Sequence, residues 1–247
     1  MPHLSFLLML MLLVASSASA ETGPPQPEVK FSTVAITSIR DPDWKSFKRM
    51  KAGEEAFNRL HQLAPNAPLY FILRPQQKGL SFLGVKITVE IDDVSLPVPV
   101  DARGRFQLPD VQRENLEAAQ LLLNKKKGLY RWRPDIHTPG IPANARRLGD
   151  LRLECEVRWA VEADDLSFMD RNIFRMAGGP CHADFVKVIF PAPRAILQAK
   201  MVSANGKKSL LADVVDDDSL YYSVPLHDKD WPDETLVEME FMTTAAR

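Results

Sequence analysis

Apolar and polar residues alternate over many short stretches of this chain, with the two-residue period of a half-buried β-strand. The clearest stretch runs from Phe82 to Ile91, where Val85, Ile87 and Val89 alternate with polar residues. The stretch from Val94 to Val100 keeps this period, and its two prolines predict a strand at the edge of a sheet. On the same reasoning we predict further strands at residues 29–39, 69–73, 105–108, 129–133, 151–161, 185–190, 195–202, 209–215, 220–224 and 235–242.

Three stretches have helical rather than strand periodicity. The longest runs from Trp44 to Leu63 with Asp43 as its predicted N-cap, and Gly53 in its interior costs the helix about 1 kcal/mol relative to Ala. Shorter helices are predicted from Arg113 to Lys127 and from Asp164 to Met176. The expected fold class is therefore mainly β with a minor α component, formed by β-sandwich-like units and one N-terminal amphipathic helix.

Two turn signals support this assignment. Asn205-Gly206 is the strongest hairpin signal in the chain, and Asp101-Ala102-Arg103-Gly104 leads into a short Arg-Phe return strand. The strand, turn and return over residues 94–108 resemble the repeats of transthyretin-like and carboxypeptidase-regulatory-like β-sandwich modules. That resemblance implies a sandwich architecture and assigns no functional residue.

The first twenty residues have the composition of an export signal. Leu4 to Val14 is an almost unbroken apolar run, and Ala18-Ser19-Ala20 offers the small residues that signal peptidase requires before Glu21. The run is shorter than the ~20 residues that span a bilayer, and no later stretch approaches that length, so we expect no membrane span after the signal is removed. We therefore predict a signal peptide at residues 1–20 and a periplasmic or secreted protein.

The remaining chain is long enough for one large hydrophobic core or two modest ones. We place a boundary near residue 163, which separates an N-terminal helix plus β-rich domain (21–163) from a C-terminal β-rich region (164–247). The second region could pack into the same sandwich as the first. The only two cysteines, Cys155 and Cys181, lie on either side of this boundary, and in an oxidising compartment they are expected to form a disulfide.

A net charge of −1 conceals two regions of opposite sign. Residues 113–152 contain nine Lys or Arg against four Asp or Glu, whereas residues 212–240 contain ten acidic residues and one Lys. The two regions are either separate solvated faces or surfaces that attract each other.

Within the basic region, cations are interleaved with Tyr130 and Trp132, a composition able to bind an anionic ligand or partner. In a strand, Arg131 and Arg133 would share one face and the two aromatic residues the other, which also suits arginines in water and aromatics in the core. The candidate anion-binding residues are Lys125, Lys126, Lys127, Arg131, Arg133, Arg146 and Arg147.

Sequence motifs for catalysis and for cofactors are absent. The chain has no His-Glu-x-x-His, no Gly-x-Ser-x-Gly and no phosphate-binding glycine loop, so we expect no cofactor and no metal site, and we assign no catalytic residue. An enzyme would have to draw on His137, His182 or His227 together with a carboxylate in one pocket.

Three classes of function are compatible with these features. The leading interpretation is an exported, non-catalytic binding or assembly module of the cell envelope, whose partner is an unknown envelope protein or glycan. The alternatives are an envelope hydrolase with scattered active residues and a purely structural accessory domain. Export makes nucleic acid an unsuitable partner, and the oligomeric state is left open.

Overall fold

The structure is a computed structural model that describes residues 41–111, 116–203, 209–215 and 218–243. These residues form fourteen strands in four antiparallel sheets together with three α-helices. The mainly β class with a minor helical component is therefore confirmed. The predicted signal peptide, the predicted strand at 29–39 and the predicted turn at Asn205-Gly206 lie outside the described residues.

Two sheets come from the first part of the chain. The first sheet contains, in spatial order, β1 (Pro42–Ser46), β6 (Gln120–Lys126), β3 (Ile87–Ile91) and β4 (Val94–Val98). The second sheet contains β5 (Arg105–Phe106), β2 (Leu69–Pro75) and β7 (Tyr130–Ile136). The strand that carries Pro97 does lie at an edge, because proline cannot donate to a second neighbour.

The other two sheets come mainly from the second part of the chain. One contains β11 (Ser209–Leu211), β10 (Ile196–Val202), β14 (Leu236–Phe241) and β8 (Ala145–Arg147). The other contains β12 (Asp213–Val214), β13 (Tyr221–Ser223) and β9 (Ile189–Pro191). Most of these strands coincide with stretches that alternate in sequence.

The first helix, α1 (Phe47–Leu60), lies inside the stretch predicted to be helical and is followed by a single 3-10 turn. Its N-cap is Ser46, whose side chain accepts a hydrogen bond from the Arg49 backbone N–H at 3.5 Å. The prediction of Asp43 as the cap was wrong, because Asp43 is a buried residue of β1. Burial raises the pKa of Asp43 above its ordinary value.

Residues 151–161 were predicted to be a strand, and this prediction was wrong. They belong to α2 (Leu148–Glu162), a helix buried between two hydrophobic cores. One side of α2 contributes Leu153 and Val157 to the first core, which also contains buried residues of α1 and of the first two sheets. Leu151 and Cys155 pack into the second core, which contains buried residues of the other two sheets. Apolar residues are therefore needed on two sides of the helix. Along the sequence they fall at every second position and resemble the alternation of a strand.

The predicted helix at 113–127 was also wrong over its second half, because Gln120–Lys126 is the central strand β6. Leu121 and Leu123 are fully buried and pair with β3 on one side and β1 on the other. Pairing on both edges outweighs the intrinsic helix propensity of the Leu, Gln and Lys residues in this segment.

The two long helices approach closely at Gly53. A Cβ atom at this position would lie 2.6 Å from Val161 Cγ2 of α2, closer than real Cβ contacts. The residue that weakens α1 as a helix is therefore the residue that allows α2 to pack against it.

The third helix, α3 (Phe168–Met176), occupies most of the predicted stretch 164–176. Downstream of it, Cys181 is joined to Cys155 of α2, with a Cα to Cα distance of 5.8 Å. The predicted disulfide pair is present and ties the segment after α3 back onto α2.

Candidate functional site: an arginine cleft

A cleft of about 770 Å³ lies between the ends of β2 and β7, helices α2 and α3, and the segment around β9. We call it the arginine cleft. Its arginines are Arg74, Arg131, Arg133, Arg146 and Arg158. Its volume falls within the range of small-molecule binding sites.

Strand pairing brings two of these arginines together. In the antiparallel pair of β2 and β7, Arg74 lies directly opposite Arg131. Like charges at directly opposite positions destabilise a sheet unless something compensates them. Among the described residues, the Arg131 guanidinium has no hydrogen-bond or ion-pair partner, so this part of the cleft keeps an uncompensated positive charge.

Helix α2 supplies the third guanidinium and the acidic partners. Arg158 Nε donates to Glu162 at 2.9 Å, and Arg133 donates to the other oxygen of the same carboxylate. One carboxylate therefore serves two arginines. Burial and the nearby charges of Arg158, Arg131 and Arg74 lower the pKa of Arg133 to about 10, although Glu162 opposes the shift.

Basic side chains outnumber acidic ones around the cleft. With Lys187, six basic residues line it against Glu154 and Glu162 as the two acidic ones. Arg74 and Lys187 pair with Asp135 and Asp213, which do not line the cleft, so among the described residues Arg131 keeps the unpaired charge. An unpaired guanidinium at a cavity wall favours an anionic occupant.

The deepest of these cations is Arg146, whose side chain is 9% exposed. Its Nη2 donates to Glu154 at 2.8 Å and to the Ile136 carbonyl at 3.0 Å. Burial alone would lower the pKa of Arg146, but the charge of Glu154 and the hydrogen bond to it outweigh burial and raise the pKa. Its Nε is buried and has no hydrogen-bond partner among the described residues. A polar atom in this condition at a cavity wall is a candidate donor to a ligand.

The lining of the cleft also contains apolar side chains. Trp159 of α2 and Phe174 of α3 meet edge to face, with 5.9 Å between ring centroids. Leu166 and Phe190 extend this surface, and several prolines around β9 complete it. The cleft therefore offers both cations and apolar side chains, a lining suited to an anion that carries an apolar body.

A second cavity of about 550 Å³ shares Arg74 and Arg146 with the arginine cleft. In it, Asp135 Oδ1 lies 3.3 Å from Arg74 Nη2 and 3.2 Å from His137 Nε2. Burial alone would raise the pKa of Asp135, but the His137 hydrogen bond and the nearby positive charges outweigh burial and lower it. Beside this pair, Thr138 donates from its hydroxyl to Asp150 at 2.6 Å.

Asp135, His137 and Glu154 also form a group whose ligand atoms lie within 4.8 Å of one another, close enough to hold a metal ion. However, Arg74 donates to Asp135, and Arg146 donates to Glu154. Two guanidinium groups already neutralise these carboxylates and would repel a cation. The donor set therefore suits an ion-pair network better than a metal centre.

The structure separates the seven basic residues predicted to bind an anion. Arg131, Arg133 and Arg146 line the cleft, whereas Lys125 to Lys127 lie at the end of β6 in a different sheet and line neither cavity. Arg147 is buried, donates to the Leu63 carbonyl and pairs with Glu234 at 2.9 Å.

The aromatic residues of β7 behave as the alternation predicted. Tyr130 and Trp132 are buried in the first core while Arg131 and Arg133 occupy the other face. Sequence reasoning missed Arg74, Arg158 and the apolar side chains of the cleft. They lie far from β7 along the chain, and residue 158 falls in the segment wrongly expected to be a strand.

The three histidines considered for catalysis are dispersed. His137 lines the smaller cavity, and His182 Nε2 lies 2.8 Å from Glu156 Oε1. His182 and His227 line neither of the two cavities. Burial raises the pKa of Glu156, although His182 opposes this shift.

Comparison with known proteins adds no relative to this geometry. The chain matches no protein-family model, no curated protein and no solved structure at a significant level. In the described part of the chain, no helix is long and apolar enough to cross a membrane.

Proposed function

We propose that this protein is a non-catalytic binding module whose arginine cleft takes an anionic ligand with an apolar body. The observation that carries the proposal is the combination, in one cleft, of five guanidinium groups with aromatic and aliphatic side chains. A fully polar anion would leave the apolar side chains of the cleft against water, and a neutral apolar molecule would leave Arg131 uncompensated. An anionic amphiphile satisfies both kinds of side chain.

In this binding mode the anionic head lies against the opposed pair Arg74 and Arg131, which has the least compensated charge. Each charge-assisted hydrogen bond contributes about 1.5–3 kcal/mol. The apolar body packs on Trp159 and Phe174, where each buried CH₂ contributes about 0.8 kcal/mol. Head and body together account for selection against neutral and cationic amphiphiles of the same length.

The cellular setting of the proposal follows from the sequence. The leader at residues 1–20 would deliver the protein to the periplasm or the exterior, on a sandwich-like β scaffold crosslinked between Cys155 and Cys181. Its partner in the envelope would be a molecule, free or attached to a protein or glycan, that presents an anionic group beside an apolar one.

Calorimetric titration of the full chain tests this function. Decanoate and decyl phosphate should bind, whereas decanol and decyltrimethylammonium should not. The variant Arg131→Gln should weaken decanoate binding by about three- to tenfold, because one exposed charged donor is lost. Lys126→Gln removes a cation of the same basic segment that lies outside the cleft, and its affinity should equal that of the wild type.

Equal binding of decanol and decanoate would contradict the charged half of the proposal. Equal losses in Arg131→Gln and Lys126→Gln would show that net charge, and not the cleft, governs binding. No heat with either anionic probe would contradict the function as a whole.

One observation favours a hydrolase as the second candidate. His137 and Asp135 form a pair 3.2 Å apart in the smaller cavity, the arrangement in which a carboxylate orients an imidazole that activates water. The test is turnover of decyl phosphate and of a decanoyl ester by the wild type and by His137→Ala. Turnover that disappears in His137→Ala would favour this candidate, whereas binding without turnover would favour the first.

A further inference from the structure

Helix α3 turns its apolar side away from the protein. Phe168, Met169 and Met176 are 74%, 72% and 88% exposed, and Ile173 is close to half exposed. At 100° per residue these four positions fall on one side of the helix. A surface helix normally buries such a side, so α3 is oriented the opposite way to an ordinary amphipathic helix.

This orientation is fixed by contacts on the other side of the helix. There Phe174 packs against Trp159, and Arg171 pairs with Asp164 at 2.7 Å. At the N-terminus the Ser167 hydroxyl accepts from the Asp170 backbone N–H at 3.2 Å. Shortly after the helix ends, Cys181 ties the chain to α2. These contacts fix the orientation of α3, so its apolar side remains exposed on the surface.

The charged residues on and beside α3 are net positive by one charge, with Lys45, Arg49, Arg171 and Arg175 against Asp164, Asp165 and Asp170. The acidic pair before the helix is occupied, because Asp165 accepts from Lys45 at 2.9 Å and from Arg49 at 3.0 Å, and Asp164 accepts from Arg171. By contrast, the Arg175 guanidinium has no partner within the described part of the chain. An uncompensated cation beside exposed Phe and Met residues complements an anionic, apolar surface.

Helix α3 also borders the arginine cleft. Leu166, immediately before the N-cap, and Phe174 of the helix both line the cleft. The cleft therefore lies next to α3, although the four exposed apolar side chains do not line it.

The size of the face argues against a second copy of this chain as its occupant. A nine-residue helix is about 14 Å long, and the strip it offers is far smaller than the roughly 800 Å² per partner of a stable interface. A membrane has no such requirement, since a few inserted aromatic and aliphatic side chains assisted by cations give reversible binding.

We propose that the exposed face of α3 docks this protein onto an anionic lipid surface, with Phe168, Met169 and Met176 entering the boundary between headgroups and acyl chains. Arg175 contacts the anionic headgroups, and the arginine cleft opens beside the bilayer. Docking stands on the geometry of α3 alone. The further step, in which an anionic lipid is the ligand that enters the cleft, rests on the function proposed above.

The test is co-sedimentation of the full chain with vesicles of phosphatidylcholine, with and without phosphatidylglycerol. Wild-type protein should bind the vesicles that contain phosphatidylglycerol, and added salt should weaken the binding. The double variant Phe168→Ser/Met169→Ser should bind about tenfold more weakly or worse, because two apolar insertions are lost. Leu83→Ser is the matched control, since Leu83 is 88% exposed and lies outside α3. It should bind as the wild type does.

Both altered residues are exposed, so the double variant should keep the circular dichroism spectrum and the unfolding midpoint of the wild type. Any contribution of the apolar N-terminal segment is common to all variants and cancels in the comparison. Binding of the double variant at the wild-type level would overturn the proposal, as would a wild type that ignores phosphatidylglycerol. Self-association that disappears only in the double variant, without vesicle binding, would assign the face to a second copy.

Decanoate titration of the same variants separates docking from the proposed cleft function. The double variant should bind decanoate in solution as the wild type does, because neither altered residue lines the cleft. Vesicle binding without decanoate binding would remove the cleft function and leave docking intact. Decanoate binding without vesicle binding would do the reverse.

Discussion

The two hydrophobic cores of this protein differ in how completely they remove apolar side chains from water. Of the sixteen large apolar residues that are exposed among the described ones, only Trp44 and Leu83 precede residue 166. The other fourteen lie between Leu166 and Met242. The first core therefore buries nearly all of the large apolar residues around it. The second half of the chain leaves many on the surface, and α3 and most of the apolar residues of the cleft belong to that half. Exposed apolar surface of this extent marks binding regions.

The largest effect should come from the first core. Phe71 is almost fully buried in β2 and stacks on Phe106 with 5.9 Å between ring centroids. Phe71→Ala should lower the free energy of unfolding by about 3–5 kcal/mol, because it leaves a cavity in a packed core. Leu211→Ala, at a residue 62% exposed in the second half, should change it by less than about 0.5 kcal/mol. Urea unfolding measures the free energy of unfolding of both variants, and similar losses in the two would contradict the difference between the two halves.

The next effect concerns the crosslink that holds the second half. Cys155→Ser/Cys181→Ser should lower the free energy of unfolding by about 3 kcal/mol, because the unfolded chain is no longer constrained. Reductant should destabilise the wild type to the same extent and leave the double variant unchanged. A wild type whose urea midpoint ignores reductant would show that the second half does not depend on this bond.

A smaller effect is expected where α1 crosses α2. Gly53→Ala should destabilise by about 1–3 kcal/mol, because its Cβ would overlap Val161 and outweigh the gain of about 1 kcal/mol in helix propensity. Asn58→Ala, at an exposed position of the same helix, should be neutral or slightly stabilising. Chemical unfolding separates the two variants, and stabilisation by Gly53→Ala would contradict the close helix contact.

The smallest effect is a dependence on pH at the wall shared by the two cavities. Since the folded protein lowers the pKa of Asp135 from 3.8, its carboxylate stabilises the fold at pH values above 3.8. That stabilisation is lost as pH falls from there through the lower pKa of the folded state. The difference in unfolding free energy between wild type and Asp135→Asn should therefore shrink below pH 3.8. A difference that stays constant over that interval would contradict the ion-pair network.

Strands with a simple burial pattern could be predicted from the sequence. Residues 69–73 form a short apolar run bounded by prolines and lie within β2, and the alternation of 82–91 ends in β3. In both cases neighbouring strands of the sheet decide which side chains of the strand face the core. The hydrophobic pattern then carries the necessary information.

Helix α2 could not be predicted in this way, because its environment is defined by parts of the chain that are remote in sequence. Leu153 and Val157 satisfy one core, and Leu151 and Cys155 satisfy the other. The resulting two-residue alternation is indistinguishable from that of a strand until both cores are known.

The candidate site could be predicted only in part, for the same reason. Arg131 and Arg133 stood out because they interleave with aromatic residues, and Arg146 because it belongs to the same basic region. Arg74 and Arg158 reach the cleft through strand pairing and through the misassigned helix, so no local pattern identifies them. The opposite charges of residues 113–152 and 212–240 do meet, since Arg152 pairs with Asp233 at 2.6 Å.

The position of α2 between the two cores has a consequence for how this gene can change. A recombination that cut the coding sequence after residue 163 would give one product with Leu151 and Cys155 bare and another whose interior lacks the helix. Neither fragment would contain a complete hydrophobic core, so recombination has to keep the two halves together. Surface loops are the positions that tolerate insertions.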